Sequence, residues 1–204
     1  MDGTTVLPTE QTSTVRSITA PDFWAAFKAA AFSQQISGGR PPRGSARTKL
    51  AIDANINSLH GRHGPGLLAS LAQTLGLEYR REFYGFDVVF YQGEVQRRRW
   101  RAPARILVVL EHENDAFAAH EELYKLSWIA APLKVLITYP PGRIDERQML
   151  DSYSRLLQEL DVQEMGQLML IFGLPGRYPA WADWKAYLYS DKLASFEKLG
   201  DLTR

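Results

Sequence analysis

Apolar and polar positions follow two rhythms along this chain. Short apolar runs bounded by Gly, Pro, Asn or Asp recur at Tyr79–Tyr84, Phe86–Tyr91, Ala104–Glu111, Leu133–Tyr139 and Gln167–Phe172. Their length and branched or aromatic content predict strands. Between the later runs the period changes to that of a helix, over Ala116–Ala130 behind Asp115 and again over Asp145–Leu160. The implied core is a β-hairpin followed by two βαβ steps. Arg105–Leu110 offers almost no polar relief, which predicts a central strand covered on both faces.

The flanks are less regular. Asp22 opens a helix through about Gln35, with Phe23, Trp24, Phe27 and Phe32 as its apolar positions. A short helix is expected over Leu50–Leu59 and a better one over Pro65–Leu77, where Leu67, Leu68, Leu71, Leu75 and Leu77 favour one face. The stretch from Ser37 to Ser45 breaks regular structure. Residues 1–48 therefore read as a flexible leader with a short helix and a Gly/Pro/Arg-rich linker, and 49–204 as a single α/β domain. Gln92–Pro103 reads as a long loop carrying Arg97, Arg98, Arg99, Trp100 and Arg101. At the other end Trp181, Trp184, Tyr187 and Tyr189 predict an edge strand, followed by a short terminal helix.

Composition narrows the function classes. The 204 residues are 45% hydrophobic and 23% charged, with formal net charge +1. That is ordinary for a globular domain, and any argument for a polyanionic partner has to be local. The absence of cysteine excludes disulfides, thiolate metal sites and cysteine nucleophiles. No apolar run approaches a membrane span and no secretory signal is visible, so a cytoplasmic protein is expected.

The candidate chemistry lies where apolar strands run out. Asp87 sits at the start of one strand, and Glu111-His112-Glu113 follows Ile106–Leu110 on another. Charge in such a place is costly unless water, a cation or a partner meets it. Alternation puts Glu111 and Glu113 on one side and His112 on the other, so the glutamates can share a ligand and His112 reads as a bystander. An antiparallel register can bring Asp87 beside Glu111. The competing reading is a strand end emerging into solvent.

The segment Pro65–Phe172 resembles the PD-(D/E)XK, or restriction-endonuclease-like, nuclease superfamily. It shares the order of helix, hairpin strands with Asp87, strand ending in Glu111-His112-Glu113, helix and strand. The resemblance implies an α/β fold with a mixed central sheet flanked by helices. It also implies Mg²⁺ or Mn²⁺ held by Asp87, Glu111 and Glu113, and hydrolysis of phosphodiester bonds in nucleic acid, DNA first. Glu113 stands where that family usually has Lys. Some members place the catalytic group on the following helix, where this chain has Lys125. Lys125 also lies three residues after Glu122 and four after Glu121, a spacing that a solvated ion pair explains.

Other features carry less. Arg97–Arg101 suits a phosphate backbone with Trp100 stacking on a base, and suits a solvated hairpin tip equally. His60 and His63 lack a convincing ligand spacing. Gly38-Gly39 and Gly142 lack the strand-to-helix pattern of a nucleotide loop. The alternatives to a nuclease are a catalytically inactive domain of the same fold that binds nucleic acid or protein, and an unrelated α/β interaction domain. A homodimer is expected for a small domain with one site acting on a double strand.

Overall fold

A computed structural model describes residues 17–36, 67–97, 100–113, 115–140, 146–160, 166–174 and 183–202. Its centre is a seven-stranded mixed sheet whose strands lie in chain order. The strands are β1 (Glu78–Phe83), β2 (Phe86–Arg97), β3 (Trp100–Glu113), β4 (Leu133–Thr138), β5 (Gln167–Leu174), β6 (Asp183–Ser190) and β7 (Ser195–Leu202). Strands β1 to β3 form an antiparallel meander, β3 to β5 run parallel, and β5 to β7 are antiparallel again.

The helices are α1 (Ala20–Ile36), α2 (Leu67–Leu75), α3 (Ala119–Ser127) and α4 (Glu146–Glu159). Alternation along each strand decides which face they cover. Val88, Phe90, Leu110, Val135 and Ile137 pack with Phe23 and Phe27 of α1 and Leu71 of α2. The intervening Val89, Val109, Leu136 and Leu170 pack with Leu123 and Leu126 of α3 and Tyr153 and Leu157 of α4. Both βαβ steps advance the same way across the sheet, so right-handed crossovers place α3 and α4 on one face. Each fully buried Leu or Phe contributes roughly 1.5–3 kcal/mol by leaving water.

The start of α1 is a reciprocal cap. Thr19 donates its backbone N–H and its hydroxyl to Asp22 Oδ2 at 3.1 and 2.6 Å, while the Asp22 N–H donates to Thr19 Oγ1 at 3.3 Å. Phe23, Trp24 and Phe27 are buried in the same core as the sheet. The helix read with the leader is thus part of the domain, because three aromatic side chains on one short helix need a face to cover. The predicted helix over Leu50–Leu59 and the linker lie outside the described residues.

Three further expectations are corrected. The stretch read as a loop from Gln92 to Pro103 is a continuation of the β2–β3 hairpin, with Glu94 opposite Pro103 and Arg97 opposite Trp100. The pairing shifts register once, between Phe90 and Tyr91, and then runs on past Gly93, which takes φ +71°. Asp115 closes a turn by accepting from the Phe117 N–H at 2.9 Å, and α3 begins later, at Ala119. Finally, β6 is internal, and the expected terminal helix is the edge strand β7. An eight-residue helix is marginal alone, whereas pairing with β6 satisfies its backbone along the sheet.

Candidate functional site

The register of β2 and β3 builds the site. Val88 opposes Leu110, so Asp87 and Glu111 are next in line on the face covered by α3. The Asp87 N–H donates to Glu111 Oε2 at 3.3 Å, and the His112 N–H donates to Asp87 Oδ2 at 2.8 Å. Each acid is held by the other's strand. Glu111 lies one step beyond the apolar run, and only 1% of it is exposed.

Lys125 answers this buried acid from α3. Its Nζ lies 2.6 Å from Glu111 Oε1 and 2.5 Å from Glu122 Oε2. It also donates to the Gly85 carbonyl at 2.9 Å, which ties α3 to the β1–β2 turn. Glu111 Oε1 and Glu122 Oε2 thus share one ammonium. The Phe86 ring lies 5.6 Å from the same ammonium.

Two opposed effects act on these groups. The Glu111 carboxyl is raised to about 8: burial lifts it most, the Lys125 ammonium pulls it back, and the Asp87 and Glu122 carboxylates add to the rise. Burial acts against charge on Lys125 as well, but Glu111 and Glu122 outweigh it and raise the lysine above its ordinary value. Lys125 is therefore a held cation. It suits the stabilisation of negative charge better than proton abstraction.

Glu113 does not join this group. Its Oε1 accepts from the Asp115 N–H at 2.8 Å, which turns the carboxylate into the β3–α3 connection. Among the described residues no three His, Cys, Asp or Glu side chains are grouped to hold a metal. The expected cluster of three carboxylates is thus corrected to a pair, Asp87 and Glu111, with a lysine. In that pair Glu111 Oε1 faces the Lys125 ammonium, Glu111 Oε2 accepts from the Asp87 N–H, and Asp87 Oδ2 accepts from the His112 N–H. His112 faces the opposite side, with Nε2 2.9 Å from the Tyr139 hydroxyl, as the alternation predicts.

The arginine cluster is remote. Arg97 lies ten positions beyond Asp87 on β2, about 30 Å of strand. Arg97 and Arg101 are exposed on the distal hairpin; Arg98, Arg99 and the Trp100 side chain lie outside the described residues. Arg80 reaches toward that end and donates to the Arg101 carbonyl at 2.9 Å. His60, His63 and Trp181 also lie outside the described residues. Sequence reasoning offered the Glu122–Lys125 ion pair, which the structure contains, and missed the Gly85 carbonyl as a partner of Lys125. The i,i+3 spacing to Glu122 was visible, but nothing local signalled the contact across to the hairpin turn.

No family model matches the chain, and no curated protein matches it. Among solved structures it is similar to the central domain of yeast acetyl-CoA carboxylase, with 13% identity over 88% of this chain and a TM-score of 0.39. The match spans 34% of that chain. A likeness of that degree bears on neither the site nor its chemistry. Among the described residues no helix is long and apolar enough to cross a membrane.

Proposed function

We propose that this protein is a metal-dependent nuclease of restriction-endonuclease-like fold, hydrolysing phosphodiester bonds in nucleic acid, DNA first. The observation that carries the reading is the Lys125 ammonium 2.6 Å from the buried Glu111 carboxylate, beside Asp87. It supplies from a helix the cation that the strand lacks at Glu113. The order of helix, three antiparallel strands, helix and parallel strand agrees with the core expected for that fold.

Asp87 and Glu111 would hold Mg²⁺ or Mn²⁺. When bound, the cation supplies Lewis-acid stabilisation to a phosphoryl oxygen and lowers the pKa of water. Lys125 keeps its proton at Nζ and offers positive charge to the phosphate as it gains negative charge during in-line attack. Glu122 and the Gly85 carbonyl fix the position of that ammonium. Glu113 steadies the connection to α3 and does not ligate. A homodimer would present two sites to a double strand, and a cytoplasmic setting belongs to the same proposal.

The test is cleavage of labelled single-stranded and duplex DNA in Mg²⁺ and in Mn²⁺. Wild-type protein cleaves, while Glu111→Gln and Lys125→Met, both folded, do not. Absence of cleavage by wild-type protein on every DNA and RNA substrate tried would sink the reading. The second reading, an inactive binding module of the same fold, is favoured by one observation: the Glu111–Lys125 pair already satisfies much of the charge at the site. It expects nucleic-acid binding that Glu111→Gln leaves unchanged.

A further inference from the structure

The β2–β3 hairpin outruns the sheet on both sides. Strand β1 pairs with β2 no further than Tyr91, and β4 meets β3 only from Val108, so Gln92–Arg97 and Trp100–Ile106 form a two-stranded arm. Neither outer edge of the arm has a strand beside it among the described residues. A register shift between Phe90 and Tyr91 marks its root, and Arg80 of β1 braces it by donating to the Arg101 carbonyl at 2.9 Å. Among its described side chains only Ala102 is buried. A two-stranded ribbon is marginal by itself, so the arm adds little to the core.

The arm also holds the positive charge of the chain. Residues 92–105 contain five arginines and one glutamate, whereas the whole chain is only +1. Glu94 is engaged inside the arm, where it accepts from the Tyr91 hydroxyl at 3.2 Å. Alternation along β3 puts Arg101 and Arg105 on one face, and the register sets Gln96 opposite Arg101 and Gln92 opposite Arg105. All four are exposed. Ile106 packs on the face that α3 covers, so Arg105, next to it, points the other way.

We propose that this face of the arm enters the major groove of duplex DNA, with Gln92, Gln96, Arg101 and Arg105 against the base edges. The inference goes beyond the nuclease reading and stands without it, because the arm's face is turned away from that of Asp87 and Glu111. A major groove about 12 Å wide admits a two-stranded ribbon. Arginine pairs in two-pronged fashion with guanine O6 and N7, and glutamine with adenine N6 and N7. The two Gln–Arg pairs lie four residues apart along the ribbon, about 13 Å, which is about four base-pair steps. Arg97, opposite Trp100, falls on the other face and is left for a phosphate.

The glutamines decide between partners. An acidic protein or an anionic membrane surface would use the arginines alone, whereas Gln paired across the ribbon with Arg offers the donors and acceptors that base edges present. Duplex RNA is disfavoured because its major groove is too deep and narrow for side chains to read.

The test uses the full chain in EDTA, so that no metal-dependent cleavage intervenes. A DNA duplex pool randomised at its centre is selected for binding, and the enriched duplex is compared by anisotropy with an RNA duplex of the same sequence. The DNA is expected to bind at least about tenfold more tightly. Bound protein should shield guanine N7, which lies in the major groove, from dimethyl sulfate. Arg101→Ala and Arg105→Ala should each weaken binding about tenfold and each remove part of that shielding. Gln96→Ala should relax the selected sequence locally. These side chains are exposed, so unchanged urea midpoints show that the variants fold. Lys198→Ala, which removes an exposed cation on β7, should bind as wild type does.

Any of four results overturns the inference: no enriched duplex, equal affinity for DNA and RNA, guanine N7 still reactive in the complex, or Arg101→Ala and Arg105→Ala binding as wild type does. So does a loss in Lys198→Ala as large as in Arg101→Ala, which assigns the binding to general attraction of a polyanion. Cleavage in Mg²⁺ is read separately. Groove binding through the arm without any cleavage retains the inference and removes the nuclease; cleavage lost in Glu111→Gln, with no N7 shielding by either protein, keeps the nuclease and removes the arm.

Discussion

Two charged side chains are buried on the same face of adjacent strands, and the protein treats them in opposite ways. Glu111, on β3, meets a lysine and lies beside a second carboxylate. Lys134, on β4, is fully buried, and its Nζ has no hydrogen-bond partner among the described residues. The first charge is surrounded by groups that can act together, at an end of its strand that opens toward exposed residues. The second sits among apolar neighbours, opposite Val109 and Leu168 in the sheet. Burial alone therefore does not mark a site; the convergent, opposed charge is what makes Glu111 the candidate and Lys134 not.

The largest expected effect breaks the Glu111 side of that comparison. Glu111→Gln keeps shape and burial but removes one of two anionic donors, and should lower DNA cleavage by about 100-fold or more. Single-turnover rates on the preferred substrate measure it. Retained cleavage would mean that the buried pair is structural, as Lys134 is.

Next comes Lys134 itself. Burial lowers its pKa to about 8, with Asp191 pulling the other way. The unfolded chain then binds more protons than the folded one between about pH 8 and the ordinary lysine value of 10.5. Stability contributed through this residue is lowest below pH 8 and rises as pH climbs through that window. Lys134→Met should add about 2–3 kcal/mol at pH 7 and flatten the rise, as read by urea melts at neutral and alkaline pH. A variant less stable than wild type at pH 7 would mean that the ammonium has a partner the apolar strand does not reveal.

Much of this contrast was legible in the sequence, because strand alternation is a local property. It separated Glu111 from His112, and the hairpin spacing permitted Asp87 to come alongside. Glu113 was misplaced for a reason alternation cannot reach: its side has the right parity, but the turn at Asp115 captures its carboxylate. Lys125 looked like half of a surface pair because helical spacing reports only neighbours on the same helix. Its approach to Glu111 depends on how the β3–α3–β4 crossover lays the helix over the sheet. The distal ribbon was read as a loop because Gly93 and Pro103 are poor strand residues, yet long-range pairing outweighed them. Likewise β7 had helix-compatible spacing, and the free edge of β6 decided its state.

Lys125 lies between the two extremes. Removing it as Lys125→Met strands a buried carboxylate, a change that costs about 3–5 kcal/mol when both partners are buried. Here the lysine side chain is 36% exposed, and Glu111 can neutralise itself by taking up a proton. The expected loss is about 1–2 kcal/mol at pH 7, read as a lower urea midpoint. Glu122→Gln, which leaves the Glu111 contact in place, should lose less.

The smallest effect belongs to a pair with the same chemistry and no burial. Lys198 Nζ lies 2.7 Å from Asp201 Oδ2 on the edge strand, with both side chains well exposed at 51% and 36%. Water already solvates each group there, and salt screens what attraction remains. Lys198→Ala should therefore shift stability by less than about 0.5 kcal/mol, and the shift should shrink further at high salt. A loss as large as that of Lys125→Met would show that pairing itself, rather than desolvation, sets the energy of these contacts. The distinction drawn between Glu111 and Lys134 would then have to rest on geometry alone.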